Sequence, residues 1–155
     1  MNKKNQSTEF SYYGLYLLNY LKENHPDKAD DSDFIAGRSD RAADVYEQSR
    51  LNGATPEGAQ EAAMAALTEG LHFSKHNTII EVLWNEFADE VPPGEAVRFA
   101  LKLLPELEEV FDKYPLSDDF GYTPEYDTLY TELTGAVAIY LEAPVSYTHL
   151  RAHET

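Results

Sequence analysis

Apolar side chains recur every three or four residues along most of the chain, which is the period of an amphipathic helix. The pattern is clear in residues 8–24 and 32–51, where it predicts the first two helices. Pro26 disfavours helical backbone in His25 before it, and Asn52-Gly53 is a left-handed stop signal. The positions expected to face the core are Phe10, Tyr13, Leu17, Leu18 and Leu21 in the first helix and Phe34, Ala42, Val45 and Tyr46 in the second.

An aspartate-rich segment, residues 27–33, links these two helices. Its last acids can accept hydrogen bonds from the free N–H groups at the start of the second helix. The segment lacks the alternating ligands, the glycine and the closing Glu of an EF-hand loop. We therefore interpret its acids as linker and cap rather than as a calcium site; they are Asp27, Asp30, Asp31 and Asp33.

A third helix is predicted to begin at Thr55-Pro56-Glu57, with a hydroxyl cap, a proline in the first turn and an acid beside it. The apolar stripe continues to about residue 89, before Val91-Pro92-Pro93-Gly94. At 100° per residue, one face of this long helix carries Ala59, Ala62, Ala66, Phe73, Ile80, Trp84 and Phe87. We therefore expect Trp84 to be largely buried beside Phe73, Ile80 and Phe87.

Two further helices follow. The fourth spans about residues 94–114, and its stripe continues through Pro105, which predicts a kink rather than a break. The fifth begins at Thr123-Pro124-Glu125 and carries Tyr126, Leu129, Tyr130, Leu133, Val137, Tyr140 and Leu141. No segment of residues 8–141 alternates as a strand does. The prediction is an all-α fold, a single-domain bundle or orthogonal array of about five amphipathic helices.

The last residues, 144–155, show no apolar period and match the in-frame translation of a transposase sequencing adapter. We interpret them as a non-native tail and residues 1–143 as the single helical domain. His149 and His153 are therefore not considered as metal ligands. Residues 145–155 are expected to pack poorly and to be dispensable.

The charge of the chain narrows the class of partner. The formal net charge is −16, which disfavours contact with nucleic-acid phosphates and with anionic membranes. Ten acids and one base lie between Glu106 and Ala143. The chain has no cysteine and no apolar run near the ~18 residues that span a bilayer, and we expect a cytoplasmic protein.

Sequence signals for catalysis or metal binding are weak. Glu69 and His72 have the Glu-x-x-His spacing of di-iron bundles, and His76 lies four residues further on. A second such pair is missing, so we interpret both histidines as partly exposed structural residues. Neither a glycine-rich phosphate loop nor a nucleophile elbow occurs. We assign no catalytic, cofactor or metal residue and no cofactor.

Tyrosines and acids form the candidate interaction residues. Tyrosine is enriched at protein interfaces because it buries apolar area while keeping a polar tip. Two groups stand out, one on the first helix and one in the acidic region near the end: Tyr12, Tyr16 and Tyr20, and Asp118, Asp119, Tyr122, Glu125, Tyr126 and Asp127. The alternatives are tyrosines half-buried at the rim of a small core and an acidic face that serves solubility.

Four segments resemble an uncharacterised family of small acidic helical proteins from Bacteroides and relatives. They are Phe10–Leu18, Asn85–Pro92, Ala100–Pro105 and Tyr130–Val137, and the resemblance extends over about residues 5–143. The family is often carried on conjugative transposons, and it implies a helical fold but no catalytic residues. The leading hypothesis is a non-enzymatic accessory protein of a mobile genetic element that binds another protein. The alternatives are a nucleic-acid mimic bound by a basic DNA-binding protein and a small metal-dependent enzyme.

Overall fold

The computed structural model describes residues 11–142, and every regular element in this range is helical. The chain divides after Ser74 into two compact units, which we call unit 1 and unit 2. Phe10 and the tail of residues 144–155 lie outside the described range, and the single domain expected for residues 1–143 stays a prediction. The α-helices are α1 (Tyr12–Asn24), α2 (Ser32–Leu51) and α3 (Pro56–Leu67) in unit 1, and α4 (Lys75–Glu86), α5 (Ala96–Leu103), α6 (Glu108–Phe111) and α7 (Glu125–Glu142) in unit 2.

α1 begins at Tyr12 rather than at residue 8 as predicted, whereas its C-terminal end and both ends of α2 follow the signals in the sequence. The Ser11 hydroxyl accepts a hydrogen bond from the Gly14 N–H at 3.2 Å, and the Asp31 carboxylate accepts one from the Phe34 N–H at 3.1 Å. Gly53 has a φ of 99°, the left-handed conformation that ends α2. The interpretation of Asp31 as a cap is therefore confirmed.

Small residues bring α2 and α3 together in unit 1. Ala42 on α2 and Ala59 and Ala63 on α3 are fully buried, and α1 packs against this pair through Leu17 and Leu21. The core of unit 1 consists of Leu17, Leu21, Ile35, Ala42, Ala63, Leu67 and Leu71, with Phe34 and Tyr46 half-buried against it. Most of the stability of these helices therefore comes from apolar burial rather than from helix propensity.

The prediction of one long third helix is wrong. α3 ends at Leu67, Gly70 adopts a φ of 80°, and helical structure resumes only at Lys75 as α4. Glycine adopts positive φ at little steric cost, so Thr68-Glu69-Gly70 is a stop signal inside the apolar stripe. The described chain therefore has seven α-helices, where about five were predicted.

Arg38 of α2 caps the end of α3. Its guanidinium donates to the carbonyls of Leu67 and Glu69 at 3.0 and 2.8 Å. It also lies 4.9 Å from the centre of the Phe34 ring. The last carbonyls of a helix have no partner within it, so this cation stabilises the point at which α3 stops.

In unit 2, α4 packs against α5 and α7, and α6 packs against α7. The predicted inward face of the last helix is confirmed at three positions one turn apart, Leu129, Leu133 and Val137, all of which are fully buried. The other large buried side chains of this unit include Ile79, Leu83, Phe99, Leu103, Phe111 and Phe120.

The predicted burial of Trp84 is wrong. Its side chain is 52% exposed, and its indole N–H donates to the Pro93 carbonyl at 3.3 Å. The expected partner Phe87 is buried as predicted, so the extrapolated stripe is displaced rather than reversed. The buried side of α4 is centred nearer Ile79 and Leu83, and Trp84 lies at its edge. The neighbouring Leu83 is fully buried instead, while the expected partner Ile80 is buried and Phe73 is half-buried.

Pro105 interrupts the fourth predicted helix more strongly than a kink. α5 ends at Leu103, a 3₁₀ turn spans Pro105–Leu107, and α6 follows. Proline lacks the N–H that an α-helix needs at an interior position, which explains the interruption. The apolar stripe nevertheless survives, because Leu104, Leu107 and Phe111 are buried. Within residues 11–142 there is no helix long and apolar enough to cross a membrane.

Candidate interaction surfaces

The tyrosines of α1 divide into two kinds. Tyr12 and Tyr16 are exposed, and their ring centres lie 6.5 Å apart. Tyr13 is half-buried and donates to the Gln60 side-chain oxygen at 2.8 Å, and burial is the main cause that raises its pKa. Tyr20 is half-buried, donates to the Leu71 carbonyl at 3.1 Å and stacks on the His25 ring. Of the three predicted interface residues of α1, Tyr12 and Tyr16 therefore face solvent and Tyr20 packs within unit 1.

The most exposed aromatic side chain of the described range belongs to Tyr122, which is 91% exposed. It ends the 3₁₀ turn Phe120–Tyr122, whose first residue is buried against the rings of Tyr114 and Tyr126 at 5.9 and 6.4 Å. The Thr123 hydroxyl donates back to the Phe120 carbonyl at 2.7 Å. A buried ring and a closed turn thus hold Tyr122 outward, and its hydroxyl has no hydrogen-bond partner between residues 11 and 142.

Carboxylates surround this turn along the chain. Asp119, Glu125 and Asp127 are exposed, and Asp118 is half-buried. The Asp119 carboxylate accepts a hydrogen bond from the Ser117 hydroxyl at 2.7 Å. The sequence from residue 75 to residue 142 holds fifteen acids and four bases, a net charge of −11. We call the set Asp118, Asp119, Tyr122, Glu125 and Asp127 the Tyr122 surface.

Tyr126, also predicted as an interface residue, is half-buried and joins α7 to α4. Its hydroxyl donates to the Glu81 carboxylate at 2.8 Å. Burial raises the pKa of Tyr126 well above its usual value, and the bond to Glu81 raises it further. One turn later the Tyr130 hydroxyl donates to Glu86 at 3.1 Å and lies 3.2 Å from the Asn85 amide nitrogen. These hydroxyls serve the packing of two helices.

A third pair of this kind connects the end of α6 to α7. The Tyr114 hydroxyl and the Lys113 ammonium both donate to the Glu132 carboxylate. The bond to Glu132 raises the pKa of Tyr114 to about 12, and the bonds from Lys113 and Tyr114 lower the pKa of Glu132. Sequence reasoning missed Tyr114 and the three glutamates, since the contacts depend on which helices pack together.

The first part of the suspected metal motif lies at the end of α3 rather than on a helix. Glu69 pairs with Arg41 at 2.6 Å, and the exposed His72 ring lies 3.2 Å from the Thr68 hydroxyl. Both residues follow the end of α3, so the Glu-x-x-His spacing does not place them on one helical face. Within the described range, no group of three or more potential ligands is placed to hold a metal ion.

His76 is buried, whereas partial exposure was predicted. It lies in the first turn of α4, and its Nε2 atom is 3.0 Å from the Val97 carbonyl oxygen. Because a carbonyl only accepts, this contact assigns the ring proton to Nε2. Nδ1 has no hydrogen-bond partner in the part of the chain that the structure describes. His76 is thus a core residue that ties α4 to α5.

The comparisons with known proteins agree with the resemblance at the level of family. Residues 5–145 match the family described as "Domain of unknown function (DUF1896)". The crystal structure of protein PG0816 from Porphyromonas gingivalis is similar, with a TM-score of 0.83 and 38% sequence identity, covering 90% of this chain and 95% of that one. The comparison with curated proteins gives no match.

Proposed function

The chain belongs to the DUF1896 family, a domain of unknown function, and from that premise we propose that it is a non-enzymatic accessory protein that binds a basic partner protein through the Tyr122 surface. The observation that carries the proposal is the 91% exposure of Tyr122 on a turn anchored by the buried Phe120. Because Phe120 and Thr123 fix the backbone of the turn, an exposed aromatic side chain on it reaches a partner without the entropy cost of ordering a loop, which suits an interface anchor.

The negative charge of unit 2 supports the proposal that the partner is basic. The acids of unit 2 outnumber its bases by eleven between residues 75 and 142, and the exposed carboxylates Asp119, Glu125 and Asp127 follow one another around the turn. Such a field raises the association rate of a cationic protein and slows that of an anionic one. The acids would thus set how fast the partner arrives, and the Tyr122 ring would set how long it stays.

The biological setting is part of the same proposal. The family resemblance includes carriage on conjugative transposons, which supports an accessory role in a mobile genetic element. The nucleic-acid mimic uses the same surface and differs only in the partner, a protein that otherwise binds DNA. Duplex DNA added to the complex would release such a partner and would leave any other basic partner bound.

The test is a pull-down from the native host with the purified chain as bait, followed by binding kinetics with the partner that mass spectrometry identifies. Raising the salt from 0.05 to 0.5 M should slow association about tenfold or more, because exposed charges are screened within about 10 Å at 0.1 M. Asp119→Asn with Asp127→Asn should slow association in the same way. Tyr122→Ala should instead speed dissociation roughly tenfold, with little change in the association rate.

Matched controls lie in unit 1. Glu57→Gln with Glu61→Gln removes two exposed acids of α3, and Leu51→Ala removes an exposed apolar side chain of α2. Neither should change the kinetics. A partner whose affinity survives both high salt and loss of the Tyr122 ring would contradict the proposal, as would tight binding to free duplex DNA. Stoichiometric metal in the purified protein would favour the enzyme instead.

A further inference from the structure

The outward side of α1 carries three large apolar side chains. Tyr12, Leu15 and Tyr16 are 63%, 52% and 42% exposed. They are three and four residues apart, so they lie together on one side of the helix, and the rings of Tyr12 and Tyr16 are in contact. The opposite side of α1 already buries Leu17 and Leu21. A surface helix usually has a polar outer side, so α1 departs from that pattern.

This side of α1 carries no charge from Tyr12 to Asn19, and the exposed Lys22 and Glu23 follow only in its last turn. Residues 10–21 contain no acid and no base, and no other uncharged run in the sequence is as long. The chain as a whole carries a net charge of −16. The exposed neighbour Asn19, one turn beyond Leu15 and Tyr16, is polar but neutral. We call Tyr12, Leu15, Tyr16 and Asn19 the α1 face.

We propose that the α1 face binds the α1 face of a second copy of this chain in a two-fold symmetric dimer. Two copies with a charge of −16 repel each other, and the repulsion is smallest where the contacting surfaces carry no charge. A basic partner would gain no attraction from this face, and an acidic one would still be repelled by the rest of the chain. A self-complementary patch is the usual basis of a two-fold interface.

The spacing along α1 suits an antiparallel pair. If the two-fold axis passes between Leu15 and Tyr16, the Leu15 side chain of one copy meets the Tyr16 ring of the other. Tyr12 then lies opposite the other copy's Asn19, whose side-chain oxygen can accept from the tyrosine hydroxyl. The two helix dipoles are also opposed in this arrangement.

The size of the face determines how tight the dimer is. Three apolar side chains and one amide per copy are far fewer than the roughly 20–30 residues that each partner contributes to a standard interface. We therefore expect a weak dimer, with a dissociation constant on the order of 100 μM. Added salt should strengthen it, because screening reduces the repulsion between the two acidic chains. Binding of a basic partner to the Tyr122 surface responds to salt in the opposite direction, so the two proposals fail separately.

Sedimentation velocity of the full chain from 10 μM to 1 mM, in 0.05 and 0.5 M NaCl, tests this. Leu15→Glu places a charge on each side of the two-fold axis and should weaken the dimer at least tenfold. Tyr16→Gln, which adds no charge, should weaken it several-fold. The matched control is Leu51→Glu, at a leucine that is 73% exposed at the end of α2 in the same unit. This control should leave dimerisation unchanged, and circular dichroism should show the same helix content in all four proteins.

Three results would overturn the proposal. One is a monomer at 1 mM in 0.5 M NaCl, and another is a dimer that Leu15→Glu leaves intact or that Leu51→Glu weakens equally. The third is a cross-linking result, obtained with a photo-reactive amino acid at position 12 in a mixture of ¹⁵N-labelled and unlabelled chains. Mixed-isotope cross-links between α1 helices support the dimer, whereas cross-links to residues 1–10 of the same chain would assign the face to that segment instead.

Discussion

The two units differ in what their tyrosine hydroxyls donate to. In unit 1 the acceptors are neutral: Tyr13 donates to the Gln60 amide and Tyr20 to the Leu71 carbonyl. Between residues 75 and 142 of unit 2, the tyrosines whose hydrogen bonds hold helices together donate to carboxylates, and the pairs are Tyr114 with Glu132, Tyr126 with Glu81 and Tyr130 with Glu86. The same residue type therefore meets neutral acceptors in one unit and charged acceptors in the other.

This difference shows that the acidity of unit 2 has two parts. Residues 11–74 carry a net charge of −6 and residues 75–142 one of −11. Some of the acids in unit 2, such as Glu81 and Glu132, accept hydrogen bonds that join helices, while Asp119 and Asp127 lie on the surface without such a role. A change at Glu81 would therefore alter both charge and packing, and only the surface acids report on partner binding alone.

The prediction with the largest expected effect tests whether apolar burial contributes equally to the stability of both units. Leu17 in unit 1 and Leu83 in unit 2 are fully buried, so each change to Ala should destabilise the protein by about 2–5 kcal/mol. Trp84→Ala, next to Leu83 but half exposed, should cost less than about 1.5 kcal/mol. Urea unfolding measures all three. A cost for Trp84→Ala equal to that of Leu83→Ala would show that the tryptophan is a core residue after all.

The error at Trp84 shows what periodicity can and cannot predict. α2 and α7 were predicted well because each has an unbroken apolar period, and α2 also has clear signals at both ends. The region of α3 and α4 contains a stop at Gly70, yet apolar residues continue beyond it in a pattern that still fits one helix. The stripe extended past the stop still finds the buried Ile80 and Phe87 but misplaces Trp84, because the stop at Gly70 separates the phase of α4 from that of α3.

The candidate site was predictable to a similar degree. The acidic setting of Tyr122 is visible in the sequence, and its turn residues predict a loop. That Tyr126 bonds to Glu81 was not predictable, because the two are 45 residues apart and meet only through the packing of α4 on α7. The exposure of Tyr122 itself depends on the burial of Phe120, and no apolar period in the sequence predicts that burial.

The prediction with the next largest effect compares the Arg38 guanidinium, which donates to backbone carbonyls, with the Lys113 ammonium, which pairs with a carboxylate. Arg38→Met removes both hydrogen bonds at the end of α3 and should destabilise unit 1 by about 1–2 kcal/mol, with little dependence on salt. Lys113→Met removes an exposed ion pair with Glu132 in unit 2 and should cost less than about 0.5 kcal/mol at low salt. Thermal melts at 0.05 and 0.5 M NaCl compare the two. Equal costs would mean that α3 ends where it does without the help of Arg38.

The smallest effect addresses the tyrosine acceptors directly. Near neutral pH, Tyr126→Phe should lower the free energy of unfolding by about 1 kcal/mol and Tyr13→Phe by about 0.5 kcal/mol, because a hydrogen bond to a charged acceptor is stronger and partial exposure weakens both bonds.

The pH dependence of stability is more specific to Tyr126. Folding raises the pKa of Tyr126, so above pH ~10 the unfolded chain loses this proton while the folded chain keeps it. The stability from Tyr126 is thus present below pH ~10 and falls as the pH rises further. Tyr126→Phe should flatten that fall in urea midpoints measured from pH 9 to 11, and Glu81→Gln should reduce it while leaving an oxygen to accept the bond. A slope unchanged in both variants would mean that the carboxylate acceptors of unit 2 affect its stability no differently from the neutral acceptors of unit 1.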